Sequence, residues 1–337
     1  MLRMRYRVWL LFLSIVAFAS LSCSPASEQA AAPSQPQAEP PVKSRLDSIP
    51  SDTVKVSPQT DSYPPQLHSS EFEKPVPLSS AVNTAGAEDS PFVTPDGYTL
   101  YFFFTPDVRV PPEKQLLDGV TGVYKSMKQG GSWAPATRVM LQNKGELSLD
   151  GAVYVSGNKM WFASARRGNY RGVDLWTAEL INGQWGNFTN AGKRLNSDYQ
   201  AGEMHMSADS AEMYCHSDRK GGKGGLDIWV IKWANNDWQE PVNLSIVNTA
   251  DNEGWPFLSQ DGRELWFLRT YKGTPAIFRS KKIEGKWGEP ELIVSQFAGE
   301  PTLDTAGNLY FVHHYFKDGK MIEADIYVAY KKNQARN

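Results

Sequence analysis

One type of segment recurs through most of this chain and limits what it can fold into. A Trp opens WAPATRV at 133, WGNFTNA at 185, WQEPVNL at 238 and WGEPELI at 287, at spacings of 52, 53 and 49 residues. A fifth version, FEKPVPL, begins at Phe72, 61 residues before Trp133, and the surplus falls in an insertion at 105–119. Repeats of this length signal propellers or arrays. Between markers the order is constant. An acidic residue and a short strand lead to a polar turn: TPDG (94–97), VSGN (155–158), SADS (207–210), SQDG (259–262) or DTAG (304–307). An aromatic strand, a variable loop and a third strand follow. Four short antiparallel strands per repeat is the pattern of a propeller blade, and Pro in the fourth strand places that strand on an edge. The last repeat ends after its third strand, DIYVAYKKNQARN, while an orphan fourth strand, Phe72 to Leu78, precedes the first repeat. The fold predicted is an all-β, five-bladed β-propeller of four-stranded antiparallel blades, its ring closed by an N-terminal strand completing the C-terminal blade.

TPDGYTLYF (94–102) and SQDGRELWF (259–267) resemble the WD40-like β-propeller repeat with a Pro-Asp-Gly turn, found in TolB-like proteins and in outer-membrane lipoproteins. In such repeats a Ser-x-Arg, Gly-Gly, Asp-Ile-aromatic run follows the second strand. It matches Ser217, Arg219, Gly221, Gly222, Asp227, Ile228 and Trp229, and again Ser164, Arg166, Gly168, Asp174, Leu175 and Trp176. The resemblance implies a fold rather than an activity. The Gly-rich stretch SDRKGGKGGLDIW (217–229) is therefore read as a hairpin connection. A phosphate loop would open a helix and carry a Lys-Ser/Thr pair.

The N-terminus reads differently. Arg3, Arg5 and Arg7 precede an apolar run from Val8 to Leu21, too short to span a membrane and fit for a signal peptide. Residues 1–22 are assigned to that signal. The sequence ASLSC at 19–23 resembles a bacterial lipobox, which implies a lipidated Cys23, attachment to a membrane and, with Ser24 following, the outer membrane of the cell envelope, on its periplasmic or outer face. Residues 24–70 hold nine Pro and no apolar periodicity, so 23–70 is expected to be a disordered tether carrying the anchor, and 71–337 the propeller. Cys215, in a strand, reads as a buried small hydrophobe. Net charge is −2, which argues against nucleic acid as a partner.

Candidate site residues come from the repeats. The acidic residue opening each one, Glu88, Asp150, Glu203, Glu253 and Glu300, with Asp89 and Glu146 as register alternatives, should converge at one channel mouth. Converging carboxylates can hold a cation or shift one another's pKa, yet repetition in all five favours a structural role. No cofactor is expected beyond such a channel cation, and no His/Cys/Asp set has zinc spacing. Positions after the second strand vary more, and Arg166, Arg219, Arg269 and His313 are ligand candidates there. Most of the Trp recur at equivalent positions and read as packing between blades. Trp255, in EGWPF, is the candidate for stacking on a ligand.

These observations lead to the expectation of a monomeric, lipid-anchored, non-catalytic binding scaffold for an envelope protein or a glycan. The alternative is a glycoside hydrolase, since five-bladed propellers resembling arabinanases and β-xylosidases set carboxylates around a central pocket.

Overall fold

The computed structural model describes residues 44–332. The signal segment, Cys23 and the first part of the expected tether lie outside that range. The fold is all-β and propeller-like, and its repeats follow the sequence. Antiparallel first, second and third strands are Ala87–Val93, Thr99–Thr105 and Gly122–Gln129 in repeat 1, and Ser148–Ser156, Lys159–Arg166 and Asp174–Ile181 in repeat 2. Repeat 3 has Met204–Met206, Glu212–Ser217 and Asp227–Ala234, and repeat 4 has Glu253–Leu258, Glu264–Tyr271 and Thr274–Ile283. Repeat 5 has Ala298–Leu303, Leu309–Lys317 and Lys320–Ala329.

The outer edge shows what Pro does to a strand. Without Pro, the fourth strand of repeat 2 runs unbroken over Gln184–Asn190. Pro135, Pro241 and Pro290 each split the corresponding strand into two short pieces, as at Ser132–Trp133 and Thr137–Arg138, because a residue lacking N–H cannot hold a ladder bond. Repeat 5 takes its outer pairing from the other end of the chain: Val76 pairs with Val328 and Pro77 with Tyr327. Ala324 pairs with Ala87, linking repeat 5 to repeat 1. The loop in SDRKGGKGGLDIW joins the paired residues Ser217 and Asp227, and the Asp227 carboxylate accepts the N–H groups of Lys223 and Gly224. It is a hairpin connection held by its own aspartate.

Marker aromatics join neighbouring repeats. Trp238 meets Trp161 edge-on at 6.4 Å, Trp287 meets Tyr214 at 6.1 Å, Trp133 meets Tyr310 at 6.2 Å and Phe72 meets Trp266 at 6.0 Å. Each pair links one repeat to the one before it, with the edge-to-face geometry that aromatic quadrupoles favour.

The expectation of a disordered tether needs correction over its described part. Residues 44–68 lie against the sheets as a strap. Arg45 reaches Glu88 of repeat 1 at 3.1 Å, Lys55 pairs with Glu323 and Asp325 of repeat 5, and Asp61 accepts from His313 at 2.9 Å. Gln66–Leu67 adds a strand to Glu291–Ser295. A Pro-rich segment with no apolar stripe can still be fixed by buried ion pairs at a few points.

Arg45 is buried in its contact with Glu88. Its guanidinium lies 5.2 Å from the Phe104 ring and 5.5 Å from Phe102, and it donates to the Val82 carbonyl at 2.7 Å. Removing it leaves the buried Glu88 without its cation, so Arg45→Ala should cost about 3 kcal/mol in urea unfolding at pH 7. Adding Glu88→Gln should recover part of that loss. A cost below about 0.5 kcal/mol would show the strap to be peripheral.

Candidate functional site

The first strands of the repeats meet around a common axis. In four of them a bulge interrupts pairing with the second strand, between Asp89 and Phe92, Gly151 and Tyr154, Gly254 and Phe257, and Gly299 and Thr302. The bulged residues Ser90, Ala152, Trp255 and Glu300 have φ between 46° and 54°, a left-handed conformation that turns the side chain toward the axis. Pairing of Met206 with Met213 and His205 with Tyr214 sets Glu203 at the same position in repeat 3.

This register divides the five acidic candidates into two classes. Glu88, Asp150 and Glu253 precede the bulge and turn back into their own repeats. Glu88 accepts from Thr84 N–H at 2.8 Å and Thr84 Oγ1 at 2.6 Å, and Glu253 accepts the same pair from Thr249 at the same distances. Asp150 accepts from Ser148 and Ser164 at 2.7 Å. Each also has an arginine over aromatic rings. Arg166 meets Asp150 at 2.6 Å and Trp176 at 4.6 Å, and Arg269 meets Glu253 at 2.9 Å and Phe278 at 4.6 Å. Arg45 of the strap fills that role for Glu88. Burial pushes Glu88 up to about 8 against the opposing pull of Arg45 and Thr84.

Glu203 and Glu300 belong to the second class. They share one ring with Ser90, Ala152 and Trp255, around a cavity of about 50 Å³. Burial, and then the nearby Asp89 charge, raise Glu203 to about 8. Glu300 is raised well above the carboxylate range by burial, then by Asp89 and Glu203. Among the described residues neither has an arginine or lysine partner. Asp89 stands beside them, with its Oδ2 3.3 Å from His314 Nε2. The next ring along the axis is Phe92, Tyr154, His205, Phe257 and Thr302, and it opens into a funnel of about 880 Å³ on the turn side.

The other candidates fall as follows. Trp255 lines the cavity, its backbone N–H donating to His216 Nδ1 at 3.3 Å. His313 is buried against Asp61 of the strap. Arg219 stacks 5.0 Å from Trp229, while Ala201 fills the place where repeats 1, 2 and 4 have a carboxylate. Glu146 bonds Asn143 on the surface, away from the channel. Cys215 is buried and its thiol is pushed up to about 12 by burial. Asp89 and His314 are the residues the repeat pattern underrated. A signal for the two classes does exist in the sequence: Glu88 and Glu253 lie six residues and Asp150 five residues before the first turn position (Thr94, Ser259, Val155), whereas Glu203 and Glu300 lie four before it (Ser207, Asp304).

No family model and no curated protein matches the chain. Solved structures similar to it include TolB from Acinetobacter baumannii, at 15% identity and TM-score 0.45, over 75% of this chain and 56% of that one. An exo-1,5-α-L-arabinanase from a bovine ruminal metagenomic library follows at 17% and 0.47, over 76% and 96%. A GH43 protein from the xyloglucan locus of Bacteroides ovatus is similar at 14% and 0.47, over 78% and 55%. The chain thus spans little more than half the length of TolB, and likeness at this level extends no further than overall fold. The expectation of a non-catalytic scaffold is corrected here. The similar structures include glycoside hydrolases, and the carboxylates are not the five equivalent groups on which that expectation rested.

His205 gives this site a pH signature. Its ring lies 4.5 Å from Tyr154 and 4.6 Å from Phe257, and burial lowers it to about 3. Neutral when folded and protonated near 6.5 when unfolded, it contributes stability above pH 6.5 that is lost as pH falls toward 3. Phe stands at its position in repeats 1 and 4. His205→Phe should therefore reduce the loss of stability between pH 7 and pH 4 by at least about 1 kcal/mol. An unchanged pH slope in denaturant melts would contradict this.

Proposed function

We propose that this protein is a glycoside hydrolase working in the channel of a five-bladed propeller, with the strand Val76–Pro77 completing the fifth blade and closing the ring. The observation that carries this reading is the asymmetry of the carboxylates. Three are held by arginines, while Glu203 and Glu300 line one cavity with Asp89 beside them, and none of these three has an arginine or lysine partner among the described residues. Glycoside hydrolysis needs a carboxylic acid to protonate the leaving oxygen and a carboxylate on the other side of the bond. A burial-raised acid beside an ionised one is the usual way to obtain both at one pH. Glu203, partly open to the cavity, is assigned as the acid, with Asp89 and Glu300 as its neighbouring carboxylates. The adjoining funnel is of the size of ordinary ligand sites, and the aromatic ring at its floor can stack on a sugar face. Anchoring at Cys23 in the outer membrane, carried by the sequence alone, belongs to the same proposal, as does action as a monomer on an extracellular or cell-wall glycan.

The test is release of reducing ends from arabinan, xylan and aryl furanosides and pyranosides by purified full-length protein. Release should fall about 10²–10⁴-fold in Glu203→Gln, the range for a lost general acid. No release from folded wild-type protein on any substrate, or undiminished release by Glu203→Gln, would overturn the assignment.

A further inference from the structure

A channel corner beside Glu203 has the chemistry of a metal site. Asp89, Glu300 and His314 each offer one ligand atom, and these atoms lie within 4.8 Å of one another, all three residues being buried. We propose that Asp89, Glu300 and His314 bind one divalent first-row transition ion, of the Zn²⁺ or Mn²⁺ class.

Glu300 carries an unsatisfied atom: it is 7% exposed, and its Oε2 has no hydrogen-bond partner. A buried polar atom left unpaired costs about 1–3 kcal/mol, so an arrangement that keeps such an atom calls for something that would satisfy it. The carboxylates of Glu88, Asp150 and Glu253 are answered by Arg45, Arg166 and Arg269. Asp89 and Glu300 have only the imidazole, and a cation would supply the missing charge.

Geometry fits a small ion. His314 Nε2 and Asp89 Oδ2 are 3.3 Å apart. Two ligands each about 2.1 Å from one metal, at roughly a right angle, stand about 3 Å apart. The three residues come from three strands: Asp89 from the first strand of repeat 1, Glu300 and His314 from the first and second strands of repeat 5. Ser90 N–H donates to Asp89 Oδ1 at 2.9 Å and fixes that carboxylate. Ligands on rigid strands are pre-positioned, as a metal site requires. The adjoining cavity of about 50 Å³ has room for the waters that would complete the coordination. One nitrogen and two carboxylate oxygens suit Zn²⁺, Mn²⁺ or Fe²⁺; Ca²⁺ takes six to eight oxygens, and no thiolate is present to favour a soft metal. The site does not depend on the hydrolase reading, since it follows from the ligands alone.

The experiment strips the full-length protein with EDTA and titrates it with Zn²⁺, and separately with Co²⁺, against a chromophoric chelator. One equivalent should bind, Co²⁺ should show ligand-field absorption, and the Tm should rise with Zn²⁺ and fall back on adding chelator. Asp89→Asn, Glu300→Gln and His314→Gln should each weaken binding at least tenfold, with Glu146→Gln unchanged. Should a variant fail to fold, the wild-type isotherm and Tm shift still decide the question. Absence of stoichiometric binding, affinity that survives all three substitutions, or retention of Ca²⁺ in preference to Zn²⁺ would each overturn the site. Hydrolysis is not read in this assay, so failure of the glycosidase proposal leaves its outcome unchanged.

Discussion

A carboxylate buried at the channel end of a propeller strand must be answered by positive charge, and in this protein a guanidinium laid over aromatic rings does so. Arg166 spans Asp150 and Trp176, Arg269 spans Glu253 and Phe278, and Arg45 spans Glu88 and Phe104. Each also donates to a backbone carbonyl leading into its repeat, Leu141, Val247 or Val82. One side chain thus neutralises a buried acid, covers two or more aromatic faces and fixes the loop between repeats. Desolvation makes the pairing costly to break and strengthens the cation–π term that accompanies it. The arginine is local in repeats 2 and 4 but comes from the strap in repeat 1, where Phe104 stands at the position of Arg269. Strap and sheets are therefore one folded unit.

The candidate site lies where this rule lapses. Repeats 3 and 5 have Ala201 and Ala298 at the paired position, and their acidic residues sit two places further on, at the bulge. Moving a carboxylate by two residues in a strand keeps it on the same face in a regular ladder. At the position of the bulge it faces the axis instead, and there Glu203 and Glu300 meet Asp89 without arginine. A symmetric scaffold thereby acquires an asymmetric set of acids, which is what both hydrolysis and metal binding require. The aromatic ring with His205 separates this set from the wide funnel on the turn side.

Much of the fold was legible in the sequence because propeller repeats write it in local signals: the turn tetrapeptides, the alternating aromatic strands and Pro at the edge. The orphan strand at Phe72–Leu78 and the unfinished last repeat anticipated the pairing of Val76 and Pro77 with repeat 5. The strap was not legible. Its contacts are single charged residues in a Pro-rich segment, and Arg45, Lys55 and Asp61 find partners up to 270 positions away. The site was half legible. Repeat-to-repeat comparison found Glu203 and Glu300 but set them level with Glu253, because matching Glu to Glu ignores the bulge. Counting back from the turn would have separated them. Asp89, a register alternative in the sequence, and His314 came together only once repeats 1 and 5 were brought side by side.

The account holds that the strap completes the fold, so the most direct test compares the thermal unfolding of the full chain with that of residues 70–337 alone at pH 7. Losing Arg45, Lys55 and Asp61 together leaves Glu88, Glu323, Asp325 and His313 without the charged partners that the strap supplies. The shorter chain should then melt at least about 10 °C lower, or fail to fold cooperatively. A shorter chain that melts cooperatively at the temperature of the full one would contradict the account.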